Sequence, residues 1–193
     1  MMTHSVEAFD LLPNSLKKSD YVDLLLFLIK EKKAVRLGAN SIETYNEMSH
    51  WCKQEKYKYV ISSSGLMYIA KHSWLAQLVR IVDDATFPHA FLLGKLLGYP
   101  SCCSIKAHRL GEQLIDKWEN DLVQSGEFVG EYRLINPSGY LQGTSLISHV
   151  PCKCSCRKSL RIAKKMLYVI RQNSEKDSFS RWKMWMKQSI TSD

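Results

Sequence analysis

Six cysteines occur in this chain, and five of them fall in two short stretches. Cys102 and Cys103 end Gly-Tyr-Pro-Ser-Cys-Cys, while Cys152, Cys154 and Cys156 belong to His-Val-Pro-Cys-Lys-Cys-Ser-Cys. Adjacent cysteines cannot staple remote parts of a chain to one another, and the N-terminus (MMTHSVEAFD) does not read as an export signal. In a reducing compartment, thiols gathered this way point to metal ligation or thiol chemistry. The sixth, Cys52, stands alone after Trp51 and reads as structural.

Both stretches share one piece of local physics. A proline breaks the preceding element, and cysteines follow at the expected start of a helix. Unpaired backbone N–H groups and the positive helix end favour a thiolate there. Thiolate is both the metal ligand and the nucleophile. Lys153, Arg157 and Lys158 add positive charge to the second stretch.

If the stretches meet, Cys102, Cys103, Cys152 and Cys156 supply four sulfurs, suited to a [4Fe–4S] cluster or a structural zinc. The spacing leans toward iron–sulfur. Cys-x-x-x-Cys is looser than the usual zinc knuckle, and a vicinal pair is awkward for two bonds to one tetrahedral ion. Small buried hydrophobes are the plain alternative.

His149, three residues before Cys152, is a candidate ligand or general base; a histidine ending a strand on a backbone carbonyl is the bland reading. Cys154 is spare or substituting among the ligands, and with His149 it is the candidate for catalytic work. A metal-free enzyme would instead use Cys152 or Cys156 as nucleophile, assisted by His149, with the other stretch resolving.

The pattern G-Y-P-x-C-C, followed some fifty residues later by H-x-P-C-x-x-x-C-x-x-S, resembles a prokaryotic family of small proteins known as a domain of unknown function. The resemblance spans roughly Phe91 to Leu167 and rests on Gly98, Tyr99, Pro100, Cys102, Cys103, His149, Pro151, Cys152, Cys156 and Ser159. It implies that the two stretches form one site pattern, with Cys154 an addition here. It implies no activity.

The chain has 193 residues and a formal net charge of +8. Met1 to Cys152 is balanced, so the whole excess lies between Lys153 and Asp193. Such a block favours an anionic partner, whether a small-molecule substrate, nucleic acid or an acidic surface; a solvated helix face reads the same way. No apolar run approaches the roughly 18 residues of a membrane span, and the longest, Tyr21 to Ile29, is interrupted by Asp23. A cytoplasmic protein without membrane contact is expected.

These residues need elements to position them. Asp20 is expected to cap a helix reaching about Lys33, and Asn40, with Glu43, a second helix ending near Cys52. Ala34 to Leu37 reads as a strand, and Tyr57–Ser62 with Leu66–Ala70 as a hairpin. Trp74 to Val82 and a helix from Pro88 to Leu96 follow, the latter closed by Gly98. Ser101 is expected to cap one helix carrying Ile105 through Trp118. Runs 128–135 and 140–150 read as strands around Asn-Pro-Ser-Gly, with Tyr140, Gln142, Thr144 and Ser148 alternating along the second as a possible polar site wall. Asp83 and Asp84, beside Thr86 and His89, suit a helix-end turn or a pocket edge. Arg157 to Arg171 is an amphipathic helix. The fold class is therefore α+β, mostly helical with a small antiparallel sheet. Residues 1–171 form one domain, and residues 172–193 a basic, Trp-rich helical appendage.

Phosphate-binding glycine loops, His-Glu-x-x-His and Gly-x-Ser-x-Gly are absent from the sequence. Three functions compete: an iron–sulfur redox or sulfur-transfer protein first, then a zinc-stabilised nucleic-acid-binding module, then a cysteine-nucleophile enzyme.

Overall fold

The computed structural model describes residues 11–13, 15–38, 41–85, 89–140 and 145–173. The features expected at Asn40, Thr86, Pro88, Gln142, Thr144 and the Trp-rich segment 178–190 lie outside these residues. The described residues form an α+β fold, mostly helical, around one three-stranded antiparallel sheet in the order β1-β3-β2. No helix among them is long and apolar enough to cross a membrane.

Helix α1 spans Lys18–Leu28 and is buried along most of its length. Asp20 is not its cap but its third residue, where its carboxylate accepts the Lys17 backbone N–H at 3.2 Å. That arrangement, half of a capping box, starts the helix earlier than expected. It also ends earlier than Lys33. Lys30 takes the left-handed conformation (φ 63°), and the N–H groups of Glu31 and Lys32 both return to the Leu26 carbonyl. The reversal turns Lys32 inward instead of along a helix surface.

Strand β1 (Ala34–Gly38) pairs with β3 (Leu66–Ala70), which pairs in turn with β2 (Lys58–Ile61). Met67, Tyr68, Ile69 and Ala70 are all fully buried, because the central strand is covered on both faces. Val35, Leu37, Met67 and Ile69 join the main core with α1. Ala34, Tyr68 and Ala70 meet Leu75, Ala76, Val79 and Leu97 on the opposite face. An apolar run without alternation is what such a strand requires.

Helix α2 (Ile42–Gln54) is capped by Ser41, whose hydroxyl accepts from Thr44 N–H, and it buries Met48, Trp51 and Cys52. Helix α3 (Ser73–Asp83) ends in an acidic residue with a packing role. Asp83 accepts from Arg36 at 2.8 Å and from the Tyr68 hydroxyl at 2.7 Å, joining the helix end to two strands. The pocket-edge reading of Asp83 thus gives way to a structural tie.

Helix α4 (Ala90–Leu97) closes at Gly98, which has φ 92°. A Cβ there would stand 2.8 Å from the Glu31 carbonyl and 3.0 Å from Lys32 Cα, so glycine serves both the turn and the close approach. Helix α5 (Ser101–Leu110) follows, with Pro100 rather than Ser101 at the cap position. The single helix expected through Trp118 is broken at Gly111 (φ 77°). A short 3-10 turn, Glu112–Leu114, then leads into α6 (Ile115–Gln124).

The strands expected over 128–135 and 140–150 are absent among the described residues. Gly130–Ile135 and Pro137–Gly139 are 3-10 helices, the second capped by Asn136. Ile135 is buried and Tyr132, three residues earlier, packs on the same core. That is the period of a 3-10 face. Helix α7 (Arg157–Gln172) packs over this segment. Its buried face includes Leu160, Ala163, Met166 and Ile170, and its outer face is basic.

Candidate metal centre

The close packing of α4 against α5 is set by Gly94, where a Cβ would fall 2.4 Å from Ser104 Oγ. With α5 held there, its first turn presents Cys102 and Cys103. The loop before α7 carries Cys152 and ends on Cys156, which occupies the cap position of α7. The four sulfurs converge: all lie within 4.8 Å of one another and can hold a metal ion.

Cys156 is the hub. Its Sγ lies 3.7 Å from Cys152, 3.8 Å from Cys103 and 3.9 Å from Cys102. The vicinal pair, expected to be awkward, brings its two sulfurs to 3.9 Å. Cys103 and Cys156 are buried, whereas Cys102 and Cys152 are half-buried, so the set has an inner and an outer side.

The electrostatics favour negative charge on Cys156. Its thiol is pulled well below the ordinary value by the Cys103 thiol, by the Ser159 hydroxyl and backbone N–H, and by Cys152, against the opposing effect of burial. Cys103 is raised by the hydrogen bond to Cys156 and by burial; Cys152 is raised by burial and by the neighbouring sulfurs. Cys156 stands at the cap position of α7, where the positive helix end and the Ser159 hydroxyl favour a thiolate.

His149 is beside the set, and its hydrogen bond goes to Ser159 instead of to a sulfur. Its Nε2 meets Ser159 Oγ at 2.9 Å, and Ser159 in turn donates to Cys156 Sγ at 3.3 Å and lies 3.5 Å from Cys103 Sγ. Burial first, and then the nearby Lys32 ammonium, lower the His149 imidazole to about 4, so it is neutral at physiological pH. Cys154 is not brought into the four. It is buried against α6, 3.4 Å from Ser125 Oγ and 3.8 Å from the Leu122 carbonyl. Cys52 lies in the core, and burial raises its thiol to about 12.

A second polar group adjoins the centre. Lys32, buried like its partner Asp23, lies 2.5 Å from the Asp23 carboxylate and donates to Ser148 Oγ at 3.0 Å. The Tyr140 hydroxyl donates to the other Asp23 oxygen at 2.6 Å. Burial opposes charge on Lys32, yet Asp23 and Tyr99 outweigh it, and the ammonium stays charged. Tyr99 spans the two groups, 5.1 Å under Lys32 and 5.1 Å from the His149 ring. Tyr140 and Ser148 therefore serve a buried ion pair, not a strand-lined substrate wall. This pair is only half legible in the sequence. Asp23 interrupting an apolar run was a usable signal, since a buried carboxylate needs a partner; Lys32, inside Lys-Glu-Lys-Lys, carried none.

No protein-family model, curated protein or solved structure matches this chain.

Proposed function

We propose that the protein is a zinc-stabilised module that binds nucleic acid through its basic surface, with the ion held by Cys102, Cys103, Cys152 and Cys156. One observation carries the metal assignment: the 3.7–3.9 Å spacing of the sulfurs around Cys156. Four thiolates at about 2.3 Å on a tetrahedral ion stand about 3.8 Å apart. A [4Fe–4S] cube binds each cysteine at a separate iron, which requires thiolates spread well beyond this set.

Charge supports the same reading. Helix α7 begins with Arg157 and Lys158 and has no acid in its first turn. Cations at a positive helix end are unfavourable unless offset. Four thiolates on a dication carry a net negative charge that offsets them. Lys164 and Lys165 pair with Glu131 and Glu31, while Arg157, Lys158 and Arg161 of α7 and Lys153 of the preceding loop are exposed and available to phosphates.

The second reading is a [4Fe–4S] redox or sulfur-transfer enzyme acting on an anionic small molecule or nucleic acid. The half-buried Cys102 and Cys152 favour it, since they leave one side of the centre accessible. A metal-free nucleophile is less supported, because His149 is directed to Ser159 rather than to a thiol. The family resembled by the Gly-Tyr-Pro-x-Cys-Cys pattern adds no activity to either reading.

Elemental analysis of protein purified both in air and anaerobically tests the metal. About one zinc per chain is expected. Four irons with matching acid-labile sulfide would replace zinc by the second reading, and metal-free protein from both preparations would overturn both.

A further inference from the structure

A groove of about 370 Å³ opens beside the edge strand β2, lined by Lys53, Lys56, Tyr57, Lys58, Tyr59 and Ser73. Its making is local. Lys53 lies in the last turn of α2, and Lys56 then adopts the left-handed conformation at φ 59°, one that side-chain-bearing residues seldom take. That turn brings Lys53, Lys56 and Lys58 to one opening. Tyr57 forms a firm wall, its ring packed 4.9 Å from Phe27 and 5.3 Å from Trp51.

Across the groove, Ser73 begins α3, whose first turn has no acidic residue and whose end has no side-chain cap. The next residue, Trp74, is 62% exposed and lies nearly parallel to His72, with 11° between the rings and centroids 6.3 Å apart. Trp74 does not line the groove itself, but its exposed indole follows the lining residue Ser73 in the chain and offers a surface for stacking. Glu55 is the one acid within the Lys53–Tyr59 stretch. None of the ion pairs Lys32–Asp23, Arg36–Asp83, Lys164–Glu131 and Lys165–Glu31 involves a lysine of the groove.

We infer that this groove is a binding site for single-stranded nucleic acid, with phosphates on Lys53, Lys56 and Lys58 and a base stacked on Trp74. Basic residues tracking a backbone beside an aromatic platform are the recurring means of holding single strands without sequence readout. The inference rests on the nucleic-acid reading given above but places the strand in this groove and not on the basic face of α7; it does not depend on which metal the cysteines hold.

The test is fluorescence anisotropy of the full-length, metal-loaded protein with fluorescein-labelled 15-nucleotide oligo(U) and oligo(dT). Three phosphate contacts on a single strand give a log–log salt slope of about −2, so raising salt from 50 to 200 mM is expected to weaken binding about 20-fold. The triple variant Lys53→Glu/Lys56→Glu/Lys58→Glu is expected to bind at least 20-fold more weakly, and Trp74→Ala about five-fold or more. The triple glutamine variant at the same lysines, with less charge change, guards against misfolding and is expected to lose at least five-fold. Arg157→Glu/Lys158→Glu/Arg161→Glu on α7 separates the two ideas. If that variant loses binding while the groove variants bind as wild type, the nucleic-acid reading stands and the groove inference is overturned. If the wild-type protein binds neither oligonucleotide at 50 mM salt, both fail.

Discussion

The Ser159 hydroxyl donates to the Cys156 sulfur across 3.3 Å, from a position with no solvent exposure. Ser159 is the third residue of α7 and Cys156 its cap, so one helical turn fixes both the candidate ligand and the group that orients it. The same hydroxyl meets His149 Nε2 at 2.9 Å, which leaves the ring little freedom.

Outer partners of this kind usually matter to metal affinity by about 10- to 100-fold. Ser159→Ala is therefore expected to hold zinc at least ten-fold more weakly, measured by competition with a chromogenic chelator. Unchanged affinity would remove Ser159 from any role in the centre.

The four clustered cysteines should separate cleanly from the other two. Serine at Cys102, Cys103, Cys152 or Cys156 is expected to abolish stoichiometric metal and lower the melting temperature. Cys154→Ser is expected to retain one metal per chain, because Cys154 faces α6 rather than the set. Metal loss in Cys154→Ser, with retention in Cys102→Ser, would exchange their roles.

Removing the Lys32 ammonium leaves the Asp23 carboxylate buried without its cation. Lys32→Met is expected to cost about 3–5 kcal/mol in urea unfolding, as broken buried pairs do. The double variant Lys32→Met/Asp23→Leu should lose less than the two single variants summed. Full additivity would mean that the two side chains do not act as a pair.

Asp20 supplies a pH test. Burial raises its carboxyl from 3.8 to about 6, with Asp23 adding to the rise and the Lys17 backbone N–H opposing it. Between these values the folded chain binds more protons than the unfolded chain, so this group's contribution falls as pH rises from about 4 to about 6 and stays unfavourable above. Asp20→Asn keeps an acceptor for the Lys17 N–H but carries no charge. It is expected to be more stable than wild type by about 3 kcal/mol at pH 7.5 and equal to it below pH 4. A thermal melt series checks both ends, and a constant difference across pH would exclude the carboxylate as its source.

Much of the architecture follows from local chemistry. Gly98 closes α4 because only glycine relieves both the positive φ and the contact with Glu31; β3 is uniformly apolar because both faces are covered. Prolines followed by cysteines marked two helix starts, and the thiolate-favouring physics of those starts is a property of a few consecutive residues. The turn at Gly98, the apolar run of β3 and the helix starts are legible from consecutive residues, whereas the Glu31 contact and the cover on β3 come from the assembled fold.

Other features were decided only by the assembled fold. The run 128–135 has β-like composition, yet packing under α7 at a three-residue period makes it a 3-10 helix. Cys154, between two of the clustered cysteines in sequence, turns to α6 because a side chain's direction depends on the loop's path and not on its neighbours' identity. Lys32 finds Ser148 across 116 residues, and Cys103 finds Cys156 across 53. Residue type and spacing along the chain determined which sulfurs were candidates; which of them share a centre, and what buried charge stands beside it, was decided by tertiary packing, because such contacts depend on through-space distance that no local pattern encodes.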